Sequence, residues 1–290
     1  MVSRYPDFSP LVPEQRPLLH PLFQQLPEGL SELTFAGLYL FREIHAYAVS
    51  RLDGDNFVVS GRDAQEFFIL PFALPEKSVL DDLFSQFAFL KAATETQARA
   101  LASMGFRVEE DRDNFDYLYL REELRDLAGR KFHDKKNLVN RFLKTFNAEG
   151  KPLLEDYVGD ALAVLDAWRE EKGEPGDYGA AREALERMEE LQLCGGIYYV
   201  DGKPVACTLG EEVARGISFA IHFEKAVRAD EFRGIYQWMN QVFASILPDK
   251  YKFINREQDL GIPGLRRAKE SYNPAEFVKK FRAFPARRVS

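Results

Sequence analysis

The chain has 290 residues, of which 46% are hydrophobic and 29% charged, with a formal net charge of −7. This is the balance of a folded, soluble polypeptide rather than a disordered one, and its length accommodates two domains at roughly 150 residues each. No window reaches the ~20 apolar residues of a membrane span, the start "MVSRYPDFSPLVPEQRP" lacks an apolar signal core, and two cysteines and four scattered histidines make no zinc or disulfide pattern, which points to reduced thiols in a cytoplasmic protein.

Residues 1–33 are proline-rich and read as irregular, with a short helix near Leu18–Gln25. An alternating strand, His45 to Leu52, leads into Asp53-Gly54, a strong hairpin signal, and on to Phe57–Ser60. After a turn at Arg62-Asp63-Ala64 comes the apolar strand Glu66–Phe72. Pro75 opens a helix that ends near Phe87. A short strand, Phe87–Leu90, precedes a helix over Thr94–Met104 that Gly105 stops. Strands near Phe106–Glu109 and Phe115–Leu120 complete this half.

The run "GRKFHDKKNLVNRFLKTF", residues 129 to 146, places Leu138, Val139, Phe142, Leu143 and Phe146 at helical spacing. Asp134 is its expected N-cap. Asn137, Asn140, Arg141 and Lys144 fall on the polar face. Lys135 falls on the apolar side, which fits either a frayed first turn or a lysine aimed into an interdomain cleft. His133 reads as a hydrogen-bonded structural residue. Helices around Val158–Lys172 and Ala180–Leu191 follow, joined by the surface loop "GEPGD".

The second half repeats the order of the first. Strand Ile197–Val200 meets a turn at Asp201-Gly202, and strands Pro204–Glu211 and Ile217–Phe223 follow. A helix covers about Asp230–Leu247, then come strand Lys252–Asn255, a Gly/Pro turn and a basic helix. A last strand, Glu276–Phe284, closes the chain. The same succession of meander, helix, strand, helix and strand in both halves predicts a tandem repeat. The expected fold class is α+β, with each domain a mostly antiparallel mixed sheet flanked by helices. Residues 1–150 form the first domain, ending in the basic helix, and residues 151–290 the second.

Charge is unevenly spread. Residues 129–144 hold six Lys/Arg against one Asp, and residues 251–290 hold ten against four acidic residues. Two basic segments on an acidic body fit a confined anion site, or else plain solvated helix faces. The densest run of polar chemistry is "KFINREQDLGIPGLRRAKESYNP", residues 252 to 274, where Asn255, Arg256 and Glu257 leave the end of a strand. Ligands collect outside the carboxyl ends of such strands. The equivalent point in the first half, "FLKAAT", is nearly bare, so only the second half is expected to hold a site.

A three-strand meander followed by a helix and another strand reads like the core of a GNAT-type (acyl-CoA N-acyltransferase-like) acyltransferase. The runs "GRKFHDKKNLVNRF" and "FINREQDLGIPGLRRAKESYNP" resemble signature segments of the phosphatidylglycerol lysyltransferase C-terminal domain family. That family has a tandem GNAT-like fold and is similar to the Fem-type aminoacyltransferases. The resemblance covers roughly Leu33 to Phe284. It implies acyl or aminoacyl transfer to an amine or hydroxyl acceptor, with aminoacyl-tRNA as donor in the characterised relatives. Those relatives carry a membrane-embedded region that has no counterpart in this sequence, so the acceptor is either a small molecule or a lipid headgroup.

Acyl transfer needs donors for a developing oxyanion, a placed base, and cations or amides for an anionic donor, tRNA or the coenzyme A pyrophosphate. Glu257 and Asp259 are the candidate bases, and Tyr272 could donate to a leaving group. Asn255, Arg256, Arg266, Lys269, Lys131, Lys135, Asn137, Arg141, Arg228 and Arg233 are candidates for holding donor or substrate. An internal salt-bridge network tying the last helix to the sheet is the structural alternative for the carboxylates. The meander-to-helix turn "VRADEFRGIYQW" has a single glycine, Gly234, which suits coenzyme A less well than another donor. Three readings remain: an aminoacyl- or acyltransferase, an acyl-CoA-dependent N-acyltransferase on a small amine, and a catalytically silent protein binding a nucleotide, RNA or an anionic metabolite. No metal is expected.

Overall fold

The structure, a computed structural model, describes residues 2–173 and 176–286. The expected surface loop "GEPGD" lies partly outside these residues. The chain forms two compact units. One comprises residues up to Asp116, Gln258–Ile262 and the segment from Phe277 onward; the other comprises Tyr117–Glu257 and Pro263–Glu276.

In the first unit, Ala48–Arg51, Phe57–Arg62 and Glu66–Ile69 form an antiparallel meander. Helix Lys77–Gln86 crosses over to strand Phe89–Ala93, which runs parallel to Glu66–Ile69 with Phe67 opposite Phe89 and Phe68 opposite Leu90. Thr94 then caps helix Glu95–Ser103. Its hydroxyl accepts from Gln97 N–H at 3.2 Å while Gln97 Oε1 accepts from Thr94 N–H at 2.9 Å, a reciprocal box that satisfies donors left open at a helix start. Val58, Phe68, Leu80, Leu83, Leu90 and Leu101 form the core between sheet and helices. Helix Phe35–Leu40, capped by Thr34, escaped the sequence pattern because "FAGLYL" is almost wholly buried and so shows no polar face.

The second unit repeats the plan. Ala148–Pro152, Cys194–Val200, Lys203–Val213 and Ser218–Ala226 pair antiparallel in that order. Asp201 and Gly202 both have positive φ, 50° and 76°, the geometry of the tight turn that matches strand twist. Helix Ile235–Ile246 returns the chain to Phe253–Asn255, which runs parallel to Ser218–Ala226. Phe219, Ile221, Phe243 and Ile254 pack together with Tyr117, Tyr119 and Tyr272. Helix His133–Thr145 buries Val139 and Phe142, the latter ring 5.1 Å from that of Trp238.

Three expectations need correction. The units do not divide at residue 150. Phe281–Phe284, from the end of the chain, is inserted in the first sheet between Phe89–Ala93 and Arg107–Glu110. In the second unit, the strand ending at Leu120 pairs with Phe253–Asn255. Alternation marks these segments as strands but does not name their partners. The final strand is two, Glu276–Val278 and Phe281–Phe284. They are separated where Lys280 enters the first unit's core, fully buried, to pair with Asp116 at 2.6 Å and with Glu32. Asp134 is not an N-cap: the helix begins at His133 after a 3-10 turn over Arg130–Phe132, leaving Asp134 in the first turn, where its charge still suits the helix dipole.

Candidate active site

The site develops where the parallel strands of the second unit part. Ser218–Ala226 pairs with Phe253–Asn255 only as far as Ala220 opposite Asn255. It then runs on to Ala226 with no strand paired on that side among the described residues. On its other side Leu209 faces Phe223 while Gly210 faces Ile221, so His222 is the extra residue of a β-bulge. Bulges re-aim a side chain in this way. A Cβ on Gly210 would meet Ala220 O at 1.9 Å, so the irregular pairing demands glycine there.

The bulge delivers His222 between two carboxylates. Its Nδ1 lies 2.7 Å from Glu257 Oε1 and its Nε2 3.0 Å from Glu211 Oε1. Burial alone pulls the imidazole pKa down, but the hydrogen bonds and charges of Glu211 and Glu257 outweigh it and raise the pKa to about 10. At neutral pH the ring is therefore an imidazolium donating to both. Glu257 has a left-handed backbone, φ 57°, a conformation that costs a non-glycine residue about 1–2 kcal/mol. Its N–H donates to Oδ1 of the fully buried Asn255 at 2.8 Å.

A second cluster centres on Arg256. Its Nη2 donates to Glu224 at 2.6 Å, and its guanidinium lies 5.1 Å from the Tyr272 ring and 5.8 Å from that of Tyr119. Lys135 Nζ sits 4.3 Å from the Tyr272 ring and donates to Ser271 Oγ at 2.6 Å. Burial first, and then the charge of Arg256, lowers the Lys135 pKa. Lys269 Nζ donates to Arg256 O, and Tyr119 Oη donates to Lys269 O at 2.8 Å. Burial pushes the Tyr272 phenol up to about 12, against an opposing pull from Arg256. Two buried polar atoms here, Arg256 Nε and Tyr272 Oη, close no hydrogen bond of good geometry.

The structure thus gathers Asn255, Arg256, Glu257, Lys269, Tyr272 and Lys135 from the expected set. Lys135 lies in a regular helix, not in a frayed turn. The other candidates are placed differently. Asp259 belongs to the first unit, where its fully buried carboxylate accepts from Gly261 N–H at 2.8 Å and from Arg112 at 3.2 Å, contacts that clasp a turn. Lys131 pairs with Glu123. Asn137, Arg141 and Arg233 are exposed, and Arg266 is half-buried in helix Pro263–Glu270. Arg228 donates its backbone N–H to both oxygens of Glu171 at 3.0 Å, and its guanidinium pairs with Glu231.

Sequence reasoning missed Glu211, His222, Glu224 and Tyr119. A signal was present: "AIHFEK" sets a histidine and a glutamate inside an otherwise apolar strand. Such groups enter a buried sheet only with partners. Among the described residues, no group of His, Cys, Asp and Glu could hold a metal ion, and no helix is long and apolar enough to cross a membrane.

The chain is 30% identical to a conserved protein from Bacteroides thetaiotaomicron VPI-5482, whose structure superposes with a TM-score of 0.86 over 96% of this chain and 98% of that one. L-PGS from Bacillus licheniformis aligns at 14% identity and a TM-score of 0.61, covering 99% of this chain and 95% of that one. A tandem GNAT protein from the clavulanic acid biosynthesis pathway aligns at 9% identity and a TM-score of 0.51, over 98% and 99%. The last two establish a shared fold: the chain is α+β, with two tandem GNAT-like domains. No curated protein matches at the level of sequence. The family model for the C-terminal region of phosphatidylglycerol lysyltransferase matches residues 23–284, and the chain belongs to that family.

Proposed function

We propose that the protein transfers an aminoacyl group from an aminoacyl-tRNA-like donor to a hydroxyl or amine acceptor, with a lipid headgroup as the acceptor suggested by the family. The observation that carries this reading is the placement of Glu257. Its carboxylate is a quarter exposed, whereas Glu211 is buried, and it is fixed by His222 at the point where the parallel strands separate. Glu257 is the base that takes the acceptor's proton. The open edge of Ser218–Ala226 offers the donor's acyl portion an extended track. Arg256 and Lys135 supply hydrogen-bond donors beside it.

Acyl-CoA is the less favoured donor, for a structural reason. At the turn before Ile235–Ile246, where helix-start amides would face a pyrophosphate, Glu171 already occupies Arg228 N–H and Glu231 neutralises its guanidinium. A Cβ on Gly234 would meet Leu138 O at 2.8 Å, so backbone from the neighbouring helix covers this turn. A phosphate arriving here meets carboxylates and no open glycine backbone.

The test compares transfer from labelled aminoacyl-tRNAs and from acyl-CoAs to phosphatidylglycerol vesicles and to small amines. Transfer from aminoacyl-tRNA, and none from acyl-CoA, is expected. Arg256→Ala alone would strand the Glu224 carboxylate, so the informative variant joins Arg256→Met with Glu224→Gln. Charged hydrogen bonds contribute on the order of 1.5–3 kcal/mol, so transfer should fall at least tenfold with the melting temperature kept. A large fall in melting temperature with undiminished transfer per folded molecule leaves Arg256 as a salt-bridge clasp.

A further inference from the structure

We infer that Arg256 Nε and Tyr272 Oη together form a binding site for the carbonyl oxygen of an acyl ester and hold the charge that this oxygen gains during transfer. The inference rests on the transfer reading above and adds the atoms that meet the reacting group. Both atoms are buried and neither closes a hydrogen bond of good geometry; Arg256 and Gln237 approach the phenol oxygen as donors, which leaves the Tyr272 O–H itself without an acceptor. A guanidinium Nε is only ever a donor, and a phenol with a pKa near 12 keeps its proton at neutral pH. Two adjacent donors lacking an acceptor are costly to bury, and the group that completes them must bring lone pairs.

The surroundings favour a carbonyl over a phosphate. Glu224, 2.6 Å from Arg256 Nη2, already neutralises the guanidinium. A phosphate carrying one or two charges would share this buried space with a carboxylate. A carbonyl oxygen enters uncharged and becomes anionic only in the transition state, when prearranged donors act most strongly. The Tyr119 hydroxyl is committed to Lys269 O, so Tyr272 supplies the unengaged phenol of the pair. Packing does not explain a tyrosine here, because phenylalanine would fill the same ring position against Tyr119 at 6.2 Å.

In the step itself, the acceptor's oxygen or nitrogen bonds to the carbonyl carbon, and the carbonyl π pair moves onto the oxygen held by Arg256 Nε–H and Tyr272 O–H. Collapse restores the carbonyl and breaks the bond to the donor's leaving oxygen. The proton lost by the nucleophile passes to Glu257 and then to that leaving oxygen.

Tyr272→Phe and Arg256→Lys test this in the full chain. Without ligand, Tyr272→Phe should melt at the same temperature as the wild type or higher, since it removes an unpaired hydroxyl. A fall of several degrees would assign that hydroxyl to structure and overturn the inference. With lysyl-tRNA and phosphatidylglycerol vesicles, each variant should lower kcat by about 10- to 100-fold and leave KM within about twofold; an unchanged kcat overturns it. If the wild type transfers nothing, the transfer reading fails, and the oxygen site is judged separately. Crystals soaked in N-methylacetamide should then place the amide oxygen between Arg256 Nε and Tyr272 Oη. Phosphate bound there instead, or a water that no amide displaces, overturns the site.

Discussion

The two units close the same point of the same topology in opposite ways. In the first, the parallel strands Glu66–Ile69 and Phe89–Ala93 lead to a cavity of about 410 Å³ lined by Leu26, Pro71, Phe72, Leu74 and Gln97 among others. Gln97 Nε2 bridges Leu70 O and Phe72 O, both at 2.8 Å, while its Oε1 caps Thr94. One neutral amide saturates the diverging backbone, and the polar side chains left in the lining are Glu28, Thr94 and Thr96, with no cation among them. In the second unit, charged side chains fill the corresponding place, one residue there has strained φ, and two donors are unmatched. A shared fold does not distribute chemistry evenly; what separates scaffold from site here is whether the polar groups satisfy one another.

The sharpest way to test that contrast is Glu257→Gln. Loss of a placed base lowers transfer per folded molecule by roughly 10²–10⁴, well beyond any loss of stability, because the amide still meets His222 though without its charge. Equal activity would remove Glu257 from the reaction. The mirror experiment is Gln97→Ala in the first unit. It deletes two bonds to buried carbonyls and half of a capping box, so stability should fall by about 2–3 kcal/mol, read by urea denaturation, while transfer per folded molecule stays constant. A transfer defect there would show that the first unit's crevice is not inert.

The most gradual effect, spread over several pH units, comes from His222. Its folded pKa, about 10, lies above the ordinary 6.5. The stabilisation from its proton is therefore complete below pH 6.5 and is lost as pH rises toward 10. Between these values stability declines by at most ~1.4 kcal/mol per pH unit. His222→Gln should flatten this alkaline slope in denaturation midpoints measured from pH 6 to 10. An unchanged slope would assign the alkaline loss to other groups.

Much of the architecture was legible in the sequence because it rests on local rules. Asp-Gly marks the turn at residues 201–202, Thr94 and Gln97 mark a helix start, and Leu138, Val139 and Phe142 mark an amphipathic helix. Asn255, Arg256 and Glu257 were visible as polar residues leaving a strand. What stayed hidden depends on pairing across long separations. Nothing local says that Phe281–Phe284 belongs beside Phe89–Ala93. Nor does the sequence show that one extra residue opposite Leu209 and Gly210 turns His222 toward Glu257. Asp259 looked equivalent to Glu257 two residues away, but only the contacts of each carboxylate tell a turn clasp from a candidate base.

The late strand of the first sheet has a consequence for how the protein is made. Its slot, between Phe89–Ala93 and Arg107–Glu110, stays empty until the ribosome has passed Phe284. At about 5–20 residues per second, that leaves a gap on the order of ten seconds or more. During this interval the nascent sheet presents two unpaired edges, the exposure that invites strand addition from other chains. A fault in the last few strand residues would therefore act far upstream, on a unit whose other strands were synthesised long before.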